Sequence, residues 1–177
     1  MFPVGDLESV YREHGARVYC LCLQILRQPA DAEDAVQEVF LKVLDRGAQF
    51  EGRARFTTWL HRMTVNLCLH RLERERVRLA LPLESDGPAA GASPAQQAET
   101  RDEAARAAAL LARLPLEQRL ALYLREVEGL SYREIAQSLE IPVGTVMSRI
   151  ARAREGLSRL VGCDAEARPI PRRRSMA

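Results

Sequence analysis

The sequence predicts an all-α protein: two small helical domains joined by a flexible linker, the second containing a helix-turn-helix. Three observations carry that expectation. Apolar residues recur at three and four residues along most of the chain, and no run sustains the alternation of a strand. Residues 81–99, LPLESDGPAAGASPAQQAE, hold three prolines, two glycines and no aromatic, a composition with little to bury. Further on, SYREIAQSLEIPVGTVMSRIARAR sets a capped short helix, a tight turn and an arginine-bearing helix in succession. The expected division is a first domain over 1–78, a linker over 79–104, a second domain over 105–162 and a basic, disordered tail over 163–177. A hydrophobic content of 47% in 177 residues is ample for burial, although two domains must share it between small cores.

The first helix is read from Leu7, Val10, Tyr11, His14, Val18, Leu21, Cys22 and Ile25, one largely apolar stripe that Pro29 breaks. The second, DAEDAVQEVFLKVLDRG, has Asp31 as its expected N-cap and acids in its first turn, where the helix dipole favours them. Its buried stripe is Val36, Val39, Phe40, Val43 and Leu44, and Gly47 ends it. After a short loop the third helix turns Phe56, Trp59, Leu60, Met63 and Leu67 inward. In the second domain, Pro115 sits near a helix start, where its missing N–H costs nothing, and Gly129 is the stop.

Ser131 and Glu134 then form an S-x-x-E capping box. The helix from Tyr132 to Leu139 is expected to bury Ile135, Ala136 and Leu139, and the turn Glu140–Ile141–Pro142 forces a sharp crossing. The next helix buries Val146, Ile150, Ala153 and Leu157 and shows Thr145, Ser148, Arg149, Arg152 and Arg159 on its other face. Gly144 leaves room for a backbone at the helix start, and the free N–H groups there suit a phosphate. This is a helix-turn-helix with the second helix as the major-groove reader. Arginine forks to guanine or phosphate, Ser148 bonds either, and Met147 can touch a thymine methyl. The plainer reading, a solvated charged face on a helical hairpin, does not account for capping box, tight turn and one-sided arginines together.

Charge is distributed unevenly under a net of only +2. Residues 51–78 carry seven basic and three acidic side chains, and residues 141–177 carry eight and three; the segments between and before are acidic. Two basic blocks imply two anionic contact sites. Lys42 is the only lysine, so phosphate contacts fall mostly to guanidinium forks. No signal peptide and no apolar run of membrane-spanning length is seen, so a reducing cytoplasm is the expected compartment, with the cysteines as buried small apolar residues. His14, Cys20, Cys22, Cys68 and His70 match no common metal-ligand spacing, and neither metal nor cofactor is expected. Paired catalytic carboxylates, a Gly-rich phosphate loop and a nucleophile elbow are all missing from the sequence, which argues against an enzyme.

These residues also resemble a known family. LREVEGLSYREIAQSLEIPVGTVMSRIARAR is similar to region 4 of bacterial sigma factors of the extracytoplasmic-function (ECF) group. DAEDAVQEVFLKVL resembles their region 2.2, and FEGRARFTTWLHRMTVNLCLHRLERER resembles regions 2.3 and 2.4. The resemblance runs from residue 6 to residue 161. It implies a subunit that binds core RNA polymerase and directs promoter-specific initiation, reading the −35 element as duplex and the −10 element as a melted strand. On the −35 side it implies Met147, Ser148, Ala151 and Arg152 at bases, with Tyr132, Thr145, Arg149 and Arg119 at phosphates or in packing. Many relatives carry Lys or Arg where this chain has Met147, so the element read here can differ.

On the −10 side it implies the loop 47–55 and the helix after it. Arg53, Arg55, Arg62, Arg71 and Arg74 supply a basic groove, Phe50 or His61 a stacking surface, and Thr58, Arg62 and Asn66 one hydrogen-bonding face. Trp59 lies on the apolar stripe, as a core residue or a strand contact, and His61 and His70 are expected on the polar surface. For core polymerase it implies Asp34, Gln37, Glu38, Leu41 and Lys42 against the β′ clamp helices, with the β flap as a further contact. The acidic linker, with Glu84, Asp86, Glu99, Asp102 and Glu103, is expected to enter the RNA exit channel. An anti-sigma factor is the expected regulator, and neither membrane insertion nor an obligate homo-oligomer is expected. The alternative is a helix-turn-helix regulator of the response-regulator type, which shares the REIA…GTV pattern but leaves the basic block 51–78 unexplained.

Overall fold

The computed structural model describes residues 7–47, 50, 52, 54–80 and 109–166. Every regular element among them is helical: α1 (Leu7–Leu26), α2 (Pro29–Arg46), α3 (Phe56–Ala80), α4 (Leu116–Glu126), α5 (Tyr132–Leu139) and α6 (Val143–Glu166). A further helical turn at 109–112 precedes α4. α3 runs to Ala80 and α6 to Glu166, past the expected ends of the two domains at 78 and 162. The acidic linker residues and the Arg172–Arg174 run lie outside the described residues.

The first three helices pack around Val18, Leu21, Cys22, Ile25, Ala32, Val36, Val39, Val43, Leu60, Val65 and Cys68, all nearly or fully removed from solvent. Two stripe residues fall outside that core. Tyr11 and Leu44 are each 52% exposed, because each sits at the edge of its stripe rather than at its centre. Tyr11 still lays its ring edge-on to Phe40, centroids 4.9 Å apart. Cys22 and Cys68 meet between α1 and α3 at Sγ–Sγ 3.6 Å. The hydrogen bond to Cys22 and burial push the Cys68 thiol far up. Cys20 is exposed, against expectation, since it faces away from the α1 stripe.

α2 begins one turn earlier than Asp31 suggests. Gln28 holds the N-cap position, with Pro29 next, and Asp31 becomes a first-turn acid. Proline is favoured there because the N–H it lacks has no helical partner. In the second domain Pro115 precedes α4, and Gly129 adopts φ +68° in the turn that follows it. Ser131 and Glu134 make the reciprocal capping box, with Ser131 N–H donating to the Glu134 carboxylate at 2.8 Å. Leu120, Leu124, Leu130, Ile135, Val146, Ile150 and Ala153 form the core of this domain. α6 crosses Leu114 closely at Gly156, where an added Cβ would lie 2.8 Å from a Leu114 methyl.

The two domains are in contact. α5 lies along the first half of α3, and α4 touches α1. Arg119 of α4 is 2% exposed and donates from Nε and Nη2 to the Gln24 carbonyl of α1, at 3.1 and 2.7 Å. Its Nη1 reaches the carbonyls of Ala112 and Leu114. Arg27 donates to the Ala112 carbonyl from the other side, and Ser138 donates to the Thr58 carbonyl at 3.4 Å.

Candidate nucleic-acid interface

The turn Glu140–Ile141–Pro142 carries the chain from α5 to α6 and leaves one face of α6 open. Met147 is 54% exposed, and Ala151 and Arg152 beside it are exposed too. Ser148 is half-buried and donates back to the Thr145 carbonyl at 3.0 Å. Arg149 points away from this face and pairs with Glu117 of α4 at 2.6 Å. Tyr132 is half-buried under the Arg125 guanidinium, 5.0 Å from its ring centre. Of the eight residues expected here, Met147, Ala151 and Arg152 thus form the open stripe. Arg119 belongs to packing, since its donors are taken by carbonyls. A cleft of about 400 Å³ beside the stripe adds Arg113 and Arg159 to Arg152. Arg113 went unnoticed in the sequence because only the fold brings it alongside α6.

A second basic surface lies between α2 and α3. A groove of about 640 Å³ is walled by Lys42, Arg46, Arg62, Arg71 and Arg74, with Trp59, Met63 and Leu67 among its apolar lining and Glu38 as its one acid. Asn66 and His70 also line it, and His70 is exposed, as expected. Phe50, Phe56 and Trp59 make an aromatic cluster at its end, with centroids 5.6 to 5.8 Å apart. Such a groove, cationic and partly aromatic, has the parts that hold a single strand. Arg46 was missed in the sequence; it ends a helix that otherwise reads as acidic. Arg53 lies outside the described residues. Arg55, Arg62 and Asn66 are present on the first half of α3 or just before it, but their polar groups are turned toward the second domain. Thr58 and His61 are only 2% and 3% exposed there. The expectation of a surface His61 is therefore corrected: the 127–131 turn covers it.

The face of α2 opposite its buried stripe presents Asp34, Gln37 and Leu41 to solvent, Leu41 at 64% exposure. Glu38 and Lys42 are half-buried and paired at 3.2 Å. Arg71 of α3 also grips Glu38, at 2.8 Å. Its hydrogen bond, ahead of the one from Lys42, holds the Glu38 carboxyl below the usual range. The outward Leu44 adds an apolar spot next to Leu41.

Between the domains lies a buried acid–base cluster. Glu128, its side chain 2% exposed, faces His61 Nε2 at 3.2 Å and Arg17 Nε at 3.0 Å. Tyr123 Oη approaches it at 3.5 Å. Burial pushes the Glu128 carboxyl up, but the hydrogen bond and charge of His61 and the charge of Arg17 outweigh it, and the group sits below the ordinary range. His14, one turn before Arg17, is pushed down, first by burial and then by Arg17 and His61, with Glu13 opposing. The folded chain therefore favours neutral His14, whereas the unfolded chain protonates it near the ordinary value of about 6.5. Stability from this group is present above that value and is lost as pH falls below it. The melting midpoint is expected to fall between about pH 7.5 and about pH 5.5, and His14→Gln is expected to flatten part of that fall. Calorimetric scans across the interval check it; equal slopes for both proteins contradict it.

Comparison with known proteins assigns each half of the chain to a family region. Residues 10–78 match the family described as Sigma-70 region 2, and residues 104–157 match Sigma-70, region 4. The chain is 37% identical over 155 residues to the ECF RNA polymerase sigma factor SigM of Mycobacterium tuberculosis, covering 88% of this chain and 76% of that one. It is 36% identical over 168 residues to the RNA polymerase sigma-H factor of Pseudomonas aeruginosa, covering 87% and 84%. It is 35% identical over 156 residues to the ECF RNA polymerase sigma-E factor of Escherichia coli, covering 81% and 77%. Among solved structures, CnrH in complex with the cytosolic domain of CnrY superposes with TM-score 0.65 at 26% identity, over 89% of this chain and 88% of that one. The sigma factor RpoE of Bartonella quintana, in complex with the anti-sigma factor NepR, has the same fold at TM-score 0.70 and 22% identity, over 90% and 98%. A response-regulator relationship accounts for the second domain alone and is not favoured, because the first domain has its own match. With region 2 and region 4 in order on one chain, the protein belongs to the ECF group of bacterial RNA polymerase sigma factors and serves promoter-specific transcription initiation.

Proposed function

We propose that the two basic surfaces divide promoter reading between them, in the cytoplasm and on core polymerase. The open stripe of α6, Met147, Ala151 and Arg152 with Ser148 at its edge, meets bases of the −35 duplex. Thr145, Tyr132 and the arginines of the adjoining cleft meet or frame its phosphates, while Arg119 and Arg149 hold α4 and α6 in place. The α2–α3 groove takes the melted −10 strand: Arg62, Arg71 and Arg74 hold the backbone, and Asn66 and the Phe50 cluster meet bases, whereas Thr58 is buried outside the groove. Arg53, Arg55 and His61 belong to the same face in this reading. The observation that carries it is the groove itself, since a regulator binding only duplex DNA has no use for a second cationic channel with Trp59 in its wall.

Asp34, Gln37, Glu38, Leu41 and Lys42 are proposed to dock on the β′ clamp helices. Because Arg71 holds Glu38, that docking face is braced against the strand groove. An apolar hollow of about 320 Å³ between α4 and α6, lined by Leu111, Leu122, Val127, Leu157 and Val161, suits the β flap. An anti-sigma partner is proposed because the similarly folded RpoE of Bartonella quintana is seen with one.

The reading is tested by transcription with sigma-free core polymerase, this protein and fragmented genomic DNA, with sequenced 5′ ends. Discrete starts sharing two upstream motifs are expected. Arg152→Ala is expected to weaken −35 binding by about 1–3 kcal/mol and to relax preference at one base pair. An unchanged preference across a promoter-variant panel removes Arg152 from base reading; no transcripts at all overturns the whole assignment.

A further inference from the structure

Arg62, Asn66, His70 and Arg74 recur every four residues along α3, and all four line the α2–α3 groove. Residues so spaced stand one above the other on a helix face, about 6 Å apart along its axis. They form a row whose step is comparable with the run of a strand's backbone from one phosphate to the next. Arg62 and Arg74 are assigned above to the backbone and Asn66 to bases. His70 stands between Asn66 and Arg74 with no part assigned. It is exposed, whereas His14 and His61 are buried.

The charged groups around His70 come from two helices. α2 contributes Glu38, Lys42 and Arg46, and α3 contributes Arg62, Arg71 and Arg74. Glu73, one turn on along α3, lies outside the groove's lining. Glu140 of the second domain reaches Asn66, one turn before His70. Glu38 is the groove's one carboxylate, and Arg71 and Lys42 already divide it, at 2.8 and 3.2 Å. Among the described residues Arg46, His70 and Arg74 make no hydrogen bond or ion pair. The groove thus holds more donors than acceptors and leaves His70 to be met from outside the chain.

Imidazole is the side chain that changes charge between about pH 5 and pH 8, and a phosphate beside it favours the charged form. A neutral histidine in this row is one more polar group, whereas a protonated one is a further cation for the strand. We propose that capture of the melted strand places a proton on His70, so that this protein holds an opened promoter more tightly as pH falls. The proposal rests on the −10 assignment given above. The proton comes from solvent and returns to it when the strand leaves. Binding that takes up a proton strengthens with acidity. Arg62, Arg71 and Arg74 keep the groove cationic throughout, so His70 alone makes its charge conditional on pH.

The test uses the full chain assembled with core polymerase. The probe is a rhodamine-labelled single strand carrying the downstream motif found by the transcription mapping. Fluorescence anisotropy gives its affinity at about pH 6 and about pH 8. Wild type is expected to bind about three- to fivefold more tightly at the lower pH, the reach of one solvated ion pair. The slope of log affinity against log salt is expected to steepen there by about 0.7, as one more phosphate is neutralised. His70→Gln is expected to lose both responses, and His70→Arg to bind tightly with the steeper slope at either pH. Arg74→Ala tests the groove itself and is expected to weaken binding at both. Circular dichroism shows that each protein stays folded at the lower pH. A wild type whose affinity ignores pH, or a pH response that survives in His70→Gln, overturns the proton-linked role; the −10 assignment then stands if Arg74→Ala still weakens binding. Undiminished binding by Arg74→Ala overturns the assignment and the proposal together.

Discussion

Arg119→Ala is expected to lower the unfolding free energy by about 2–4 kcal/mol, more than a surface arginine could. The guanidinium is buried, and the groups that meet it are backbone carbonyls: Gln24 from the first domain, Ala112 and Leu114 from the second. A carboxylate would neutralise the charge; carbonyls only solvate it. Burial, reinforced by the nearby charge of Arg27, accordingly pushes its pKa down. Truncation leaves three carbonyl oxygens without that donor and a cavity where the fork lay. Arg119→Lys is expected to recover only part of the loss, because one ammonium cannot span acceptors on two sides. Urea unfolding followed by circular dichroism measures both. A loss under about 1 kcal/mol for the alanine variant contradicts the packing role, because a buried charge-assisted bond alone exceeds it.

The second large effect is expected at Ile135→Ala, about 2–5 kcal/mol. α5 has eight residues, too few to hold a helix by propensity, and Ile135 is its fully buried anchor. The capping box fixes where the helix starts but contributes only about 1 kcal/mol. Losing Ile135 therefore removes most of what holds α5 under α6, and the reading stripe on α6 loses its platform. Duplex binding at the −35 element is expected to fail, while Ile135→Val, costing about 0.5–1.5 kcal/mol, is expected to preserve it. Thermal unfolding alongside a duplex-binding assay separates the two. Undiminished duplex binding by a destabilised alanine variant shows that α6 stands without α5.

What could be read from the sequence was whatever depends on neighbours a few residues away. The Ser131–Glu134 box, the stop near Gly129, the buried positions 146, 150 and 153, and the helical class all follow from local chemistry and period. Tyr11 and Leu44 were misplaced because a helical stripe has edges, and sequence spacing does not say which edge faces the neighbour. Asp31 was misplaced because a good capping residue stood inside a helix that proline could start. The burial of Thr58, His61, Arg119, Glu128 and Ser138 was illegible for another reason: its causes come from the opposite domain. Arg62 meets Glu140 from 78 residues away and Arg119 meets Gln24 from 95. No period or motif encodes such a distance. The assignment of surfaces to promoter elements rested on resemblance, and the groove between α2 and α3 then supplied a physical reason for it.

The pairing of Lys42 with Glu38 also has a practical side. Lys42 is the chain's only lysine, and it sits on the α2 face proposed to meet polymerase, 39% exposed and tethered by its carboxylate. Amine-directed reagents therefore find one side-chain amine, besides the terminal α-amine. A bifunctional ester reacting at Lys42 would join this protein to whatever covers α2, and a tryptic digest would report the partner peptide attached at that lysine. Acylation of that amine would likewise free Glu38 for Arg71 alone, so one modification would register both as a mass shift and as a changed grip on the α2 surface.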